Sequence, residues 1–116
     1  MKVQQYTWGD IFTTPRSNTG ERGKAAVGLF RYYPSPYHVY DMATNVREWT
    51  HTLYRLYPYT LSDGREVDES DERRVLRGDT YATAKSARAA SRGYGTPDYT
   101  SSTVGFRLAL SAARSE

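Results

Sequence analysis

The sequence contains no cysteine, and none of its apolar runs approaches the length of a membrane span. Without thiols the chain forms neither disulfides nor thiolate metal sites, and cysteine-based catalysis is excluded. A helix needs an apolar run of about 18 residues to cross a bilayer, so no transmembrane span is predicted. The N-terminal residues also lack the apolar stretch of a signal peptide, and none is predicted.

The 116 residues predict one small domain, 1–116, with a modest core, because the mean hydropathy is −0.76. Eleven tyrosines bring the aromatic content to 14%, which is typical of a folded chain and not of a disordered one. The net charge is +3, and 13 of the 16 basic residues are arginine. Six of the 13 acids stand in segment 62–74. This pattern fits either a basic surface for an anionic partner or an ordinary arginine-rich surface. Nucleic-acid binding is disfavoured, because the arginines are dispersed and no recognition helix is evident.

Short strands separated by long loops are the predicted organisation. Strands are expected at 25–33, within 46–60, at 74–77 and at 104–110. Loops are expected at 10–24, 61–74 and 93–103, where Gly, Pro, Ser and Asp cluster. Segment 84–92 alone has high helix propensity, and it is short enough to be irregular. The predicted class is therefore α+β, loop-rich, with short antiparallel strands and little helix.

Few side-chain patterns point directly to chemistry. No nucleophile elbow and no phosphate-binding glycine loop is present. The two histidines, His38 and His51, are expected to be partly exposed polar residues, because two isolated histidines rarely form a metal site. Asp41 and Glu48 lie seven residues apart, so a tight turn between them would either offer oxygen ligands to calcium or be capped in the ordinary way.

Six motifs in register are more specific than any single pattern. They are YTWGD at 6–10, NTGERG at 18–23, AVGLF at 26–30, YPSPYHVYDMATNVREWT at 33–50, RRVLRGDTY at 73–81 and TPDYTSSTVGFRL at 96–108. In order and spacing they resemble the formylglycine-generating enzyme (sulfatase-modifying factor) superfamily, whose fold is C-type-lectin-like. The match covers nearly the whole chain but only the C-terminal half of the family's domain. A partner subunit or an oligomer is therefore expected to cover the surface that the other half would cover.

The resemblance implies a structural calcium site. In the family, one such site uses the acidic or amide residue of the Y-D/N-M segment, two backbone carbonyls and the glutamate of N-V-W-E-W. These positions correspond to Asp41, Thr44, Val46 and Glu48. A second family site requires an acid where this chain has Arg22, so that site is expected to be lost.

The resemblance also implies that the family's chemistry is absent. Formylglycine-generating enzymes bind copper through two cysteines that follow G-G-S-x, and this chain has Asp79, Thr80 and Tyr81 in that neighbourhood and no cysteine. No copper is expected, because soft Cu(I) needs thiolates. Other branches bind iron through histidine triads, which two scattered histidines do not recreate.

A non-catalytic branch of the same fold makes binding proteins, in which diversity-generating retroelements vary the stretch before G-F-R. That stretch is 79–103 here, and Tyr, Ser and Gly on loops are the composition of adaptable binding surfaces. The tyrosines at 94 and 99 could equally pack back on the domain. Arg107 and Asp98 are expected to be structural. The predicted ligand-binding residues are Asp79, Tyr81, Arg88, Arg92, Tyr94 and Tyr99.

The leading hypothesis is thus a non-catalytic C-type-lectin-like module that binds a protein or small-molecule partner through its C-terminal loops. Two alternatives remain open. One is a fragment or subunit of a formylglycine-generating-type oxidase whose catalytic residues lie elsewhere. The other is a small structural subunit of a larger assembly, such as a phage or a surface layer. The same fold hosts many functions, so the choice rests partly on analogy.

Overall fold

The computed structural model of the protein describes residues 3–13, 24–30, 34–80 and 83–111. These residues contain four strands: β1 (Arg47–Leu53), β2 (Arg74–Arg77), β3 (Gly93–Gly95) and β4 (Val104–Gly105). They form one sheet in the order β3-β2-β1-β4. Strands β1 and β2 are antiparallel, as are β2 and β3, whereas β4 runs parallel to β1. Most of the described chain is loop and turn.

The centre of the sheet is where the chain buries its aliphatic side chains. Val75 and Leu76 of β2 and Leu53 at the end of β1 are nearly inaccessible to solvent. Trp49 of β1 pairs with Leu76, and the register then shifts before Leu53 pairs with Arg74. This register shift interrupts the regular pairing of β1 with β2. It lies next to the point where the chain leaves β1 and enters the long loop 54–73.

A second, aromatic cluster joins the N-terminal segment to the loop before β3. The ring of Tyr6 stacks on Trp8 at 5.3 Å between centroids and is tilted against Phe12 at 5.5 Å. Tyr6 is buried with Ala43 and Ala87, and its hydroxyl donates to the carbonyl of Ala84 at 2.9 Å. A buried tyrosine needs such a partner. This contact therefore ties the two segments together.

The predicted class is supported only in part. The loop-rich organisation with short strands is present, but the residues that the structure describes contain no helix, and 84–90 form turns instead. The strand at 74–77 matches its prediction, and a strand lies within 46–60.

Three local expectations need correction. Residues 93–95 form a strand in a region predicted as loop, because the exposed edge of β2 offers them backbone partners. The strand at 104–110 is cut to two residues, since only Val104 and Gly105 pair with β1. Residues 27–30 form turns and not a strand, while 31–33 lie outside the described residues.

Within the described ranges, no helix has the length and apolarity that crossing a membrane requires. Several large apolar side chains are exposed, above all along the extended segment after β4. Phe106 is 75% exposed, Leu108 89% and Leu110 98%. Exposed apolar patches of this kind are typical of interaction sites.

Candidate functional site

A continuous series of arginine and tyrosine side chains in contact with one another runs along one end of the sheet. We call it the arginine–tyrosine ladder. Its members, in spatial order, are Tyr57, Arg92, Tyr54, Tyr94 and Arg73. The first contact is the closest, with the guanidinium carbon of Arg92 3.8 Å from the ring centre of Tyr57. The other three contacts are 4.7 to 4.8 Å.

The register of three strands assembles this ladder from distant parts of the chain. Tyr54 follows β1 directly, and Arg73 stands one residue before β2. Tyr94 lies in the middle of β3 opposite Val75 of β2. Antiparallel pairing of β2 with both neighbours brings the end of β1, the start of β2 and the end of β3 to one end of the sheet. Residues 40 positions apart in sequence therefore come into ring contact.

The ladder is exposed and its guanidinium groups have spare donors. Tyr57 is 56% exposed and Tyr94 49%. The Nη1 group of Arg92 donates to the carbonyl of Arg55 at 2.9 Å, which fixes that side chain between its two rings. Within the described part of the chain, neither Arg92 nor Arg73 has a carboxylate within ion-pair distance. Such a surface presents aromatic faces and unpaired positive charge together, which suits flat or anionic groups.

Only two of the predicted ligand-binding residues meet in this ladder, namely Arg92 and Tyr94. Tyr99 lies elsewhere: a Cβ added to Gly95 would come 3.0 Å from both Tyr99 and the indole of Trp49. Because successive residues of a strand point to opposite faces, Tyr94 and the Gly95 position face opposite sides of the sheet. The structure therefore separates the two tyrosines.

The other predicted ligand-binding residues do not belong to the ladder either. The carboxylate of Asp79 accepts from the backbone of Thr80 and lies 3.5 Å from the guanidinium of Arg47. Arg88 donates to the carbonyl of Lys85 and borders an apolar cavity of about 400 Å³. The cavity is otherwise lined mainly by the N-terminal segment and by residues 35–43. Tyr81 lies outside the described residues.

The predicted calcium ligands lie beside a strong ion pair. Glu48 accepts two hydrogen bonds from Arg107, each at 2.6 Å, and burial of the pair is partial. The same guanidinium donates to the backbone carbonyls of Tyr40 at 3.0 Å and Asp41 at 3.3 Å. The hydrogen bonds that Arg107 donates to the Glu48 carboxylate raise the pKa of Arg107. Arg107 thus joins the segment after β4 to Glu48 of β1 and to the backbone of residues 40–41.

The loop between Asp41 and Glu48 offers oxygen atoms of the kind that calcium prefers. Asp41 and Asn45 both have positive φ, at 55° and 82°, which curls the backbone tightly between them. The carboxylate of Asp41 accepts from Gly28 N–H at 3.2 Å. The Thr44 hydroxyl is buried and has no hydrogen-bond partner among the described residues. Among the described residues, however, no group of three or more acidic or histidine side chains could hold a metal ion. Calcium binding by Asp41, Thr44, Val46 and Glu48 would need backbone carbonyls beside the two carboxylates, with Arg107 as the competitor for Glu48, and it stays a prediction.

A polar network at the other end of β1 was not anticipated from the sequence. The two ring nitrogens of His51 lie 3.1 Å from Glu66 and 3.0 Å from Asp68. Only the imidazolium ion can donate from both nitrogens. Hydrogen bonding to Glu66, and then to Asp68, accordingly raises the pKa of His51 despite burial and the nearby Arg74.

Glu66 and the neighbouring Arg65 complete that network. Burial alone would raise the pKa of Glu66, but hydrogen bonds from Thr52, His51 and Tyr59 outweigh it and lower the pKa. Arg65 is 1% exposed, with Asp63 as its ion partner. The hydrogen bond from Arg65 lowers the pKa of Asp63. Segment 62–74 is therefore an ordered loop held by ion pairs, and not merely a solvated run of acids.

Comparison with known proteins gives consistent matches. The family of sulfatase-modifying factor enzyme 1-like domains matches residues 1–112. Formylglycine-generating enzyme of Mus musculus is 36% identical over 93% of this chain and 31% of its own length. Inactive C-alpha-formylglycine-generating enzyme 2 of Bos taurus is 30% identical over 98% of this chain and 40% of its own. The chain thus spans well under half of these relatives.

Proposed function

Because the chain belongs to the family of sulfatase-modifying factor enzyme 1-like domains and has no cysteine, we propose that it is a non-catalytic binding module. Its C-terminal loops and the neighbouring strand ends would carry the partner, a protein or a smaller ligand. A C-type-lectin-like arrangement, which the family resemblance implies, is part of this proposal. Relatives named inactive, from Bos taurus and Mus musculus, show that family members without the activity exist.

The arginine–tyrosine ladder is the observation that carries the proposal. Tyrosine offers a large contact area at a small cost in side-chain entropy, which is why it is common in binding surfaces. Arginine and tyrosine are also the residues most often found at the energetic centre of an interface. Here Arg92 is held between two rings and Arg73 lies over a third. The side chains are therefore ordered before a partner arrives, which lowers the entropic cost of binding.

Peptide selection tests the proposal without a known partner. A library of random peptides displayed on phage would be panned against the immobilised chain. Selected peptides are then measured against Tyr94→Ser and Arg73→Gln, with Tyr40→Ser as the matched control, since Tyr40 is exposed and outside the ladder. We expect both ladder variants to weaken binding about tenfold or more and the control to leave it unchanged. Selection of no peptide, or equal binding to all variants, would contradict the proposal.

The oxidase alternative makes an opposite prediction that is simple to check. Similarity to an enzyme named for formylglycine generation favours testing it directly. The chain is incubated with copper, oxygen and a peptide that contains cysteine, and aldehyde is measured by mass spectrometry. We expect none, because this chain has no thiolate for soft Cu(I). Aldehyde formation above a protein-free control would show that the chain is catalytic by itself.

A further inference from the structure

A small cleft opens beside the arginine–tyrosine ladder on the same face of the sheet. Its volume is about 270 Å³, below the usual range of sites for drug-sized ligands and adequate for an ion or one ring. Threonine, tyrosine and arginine side chains and one aliphatic residue line it, and most of the lining surface is apolar, so its polarity is concentrated in the arginines. The residues are Thr50, Thr52, Tyr57, Tyr59, Arg65, Val75, Arg77 and Arg92.

Two guanidinium groups in this cleft have most of their donors unused. Arg77 donates from Nη2 to the carbonyl of Ala89, and Arg92 donates from Nη1 to the carbonyl of Arg55. A guanidinium has five N–H donors, so each keeps several for a ligand. Among the residues that the structure describes, no carboxylate pairs with either of them.

Two other charged groups near the cleft, Arg65 and Glu66, already have hydrogen-bond partners. Arg65 is neutralised by Asp63 and also donates to the carbonyls of Leu56 and Pro58. Glu66 is the nearest acid in the network, because it accepts from the hydroxyls of Thr52 and Tyr59, but it does not itself line the cleft. His51 lies 3.1 Å from Glu66 and balances its charge when the imidazole is protonated. In the part of the chain that the structure describes, the positive charges of Arg77 and Arg92 therefore have no carboxylate partner.

From these contacts we infer that the cleft is a binding site for an oxyanion, carried by a small ligand as a carboxylate, sulfate or phosphate group. The planar fork of arginine matches the oxygen atoms of all three. Arg92 is held in place by Tyr54 and Tyr57, so little freedom is lost when the anion binds. The inference rests on the proposed function in that Arg92 belongs to both surfaces, and it names the chemical class of ligand.

Titration calorimetry with sulfate, phosphate and glucuronate tests this inference on the whole chain. We expect at least one of these anions to bind saturably, and uncharged glucose to bind far more weakly. Arg92→Gln and, independently, Arg77→Gln should each weaken the anion about tenfold. Lys85→Gln removes the same charge from an exposed position outside the cleft and should leave binding unchanged. Preference for glucuronate would indicate that the ligand carries a carboxylate. Preference for sulfate or phosphate would indicate a sulfate or phosphate ester.

Absence of saturable binding by all three anions would overturn the inference. So would an equal loss in Lys85→Gln, because the effect would then come from overall charge. Tyr94→Ser separates this inference from the proposed function, since Tyr94 lies in the ladder and not in the cleft. If Tyr94→Ser keeps anion binding while no selected peptide depends on the ladder, the proposed function fails and the anion site stands. If selected peptides depend on the ladder while none of the three anions binds saturably, the proposed function stands and the anion site is rejected.

Discussion

The guanidinium of Arg92 lies between the rings of Tyr57, at 3.8 Å, and Tyr54, at 4.8 Å. This contact joins the end of β1 to the start of β3, which do not pair with each other in the sheet. Arg92 also lies near one end of the ladder and lines the cleft beside it. A single side chain therefore links the two surfaces on which we propose that ligands bind.

Packing on the opposite face of the sheet depends on the absence of a side chain at Gly95. An added Cβ would lie 3.0 Å from Trp49 and 3.0 Å from Tyr99, tighter than nine in ten real Cβ contacts, so the two rings would have to shift. Gly95→Ala should therefore destabilise the protein by about 1–3 kcal/mol, measured by urea denaturation. Gly93→Ala in the same strand is the control, since its nearest neighbour would be 3.6 Å away. Equal stability of the two variants would contradict this packing.

The ion pair of Arg107 with Glu48 is predicted to stabilise the sheet edge. Arg107→Ala leaves the largely buried Glu48 carboxylate without its two hydrogen bonds, so we expect a loss of about 2 kcal/mol. Arg107→Lys should recover little of it, because lysine cannot form the two-point contact or reach both backbone carbonyls. Arg88→Ala, another exposed arginine, should change stability by less than about 0.5 kcal/mol. Full recovery by lysine would show that charge alone matters.

Stability should depend on pH through His51. Its pKa in the folded state is raised above the ordinary value of 6.5, first by the hydrogen bond to Glu66 and then by Asp68. Its contribution is therefore fully present below pH 6.5 and is lost as the pH rises through the raised pKa. The stability difference between the wild type and His51→Gln should shrink over that interval. His38→Asn serves as the control, and a difference that is independent of pH would contradict the network.

Calcium binding at Asp41, Thr44, Val46 and Glu48 predicts a thermal shift. Calcium that binds only the folded chain raises the melting temperature in proportion to its occupancy. The wild type should melt at a higher temperature in calcium than in chelator, and Asp41→Ala should abolish that difference. Asp98→Ala, an exposed acid outside the site, should keep it. Identical melting of the wild type in both conditions would indicate that Arg107 alone neutralises Glu48.

The sequence predicts those elements whose signals are local. Segment 74–77 has two aliphatic residues, one of them β-branched, between two arginines and is followed by a glycine, and it forms β2 as expected. Segment 93–95 reads as loop because two of its three residues are glycine, and only the edge of β2 makes it a strand. The same limitation applies to the site. The sequence identifies Arg92 and Tyr94 as candidate binding residues on a loop. Their contacts with Tyr54, Tyr57 and Arg73 depend on strand register across the sheet, which the sequence does not reveal.

Mapping a selected peptide onto the chain by NMR tests the central claim most directly. The account predicts that backbone amide shifts concentrate at 54–57, at Arg73 and at 92–94, where the arginine–tyrosine ladder lies. Shifts that concentrate instead around the apolar cavity near Tyr37 and Met42, or along the exposed segment 106–110, would contradict it.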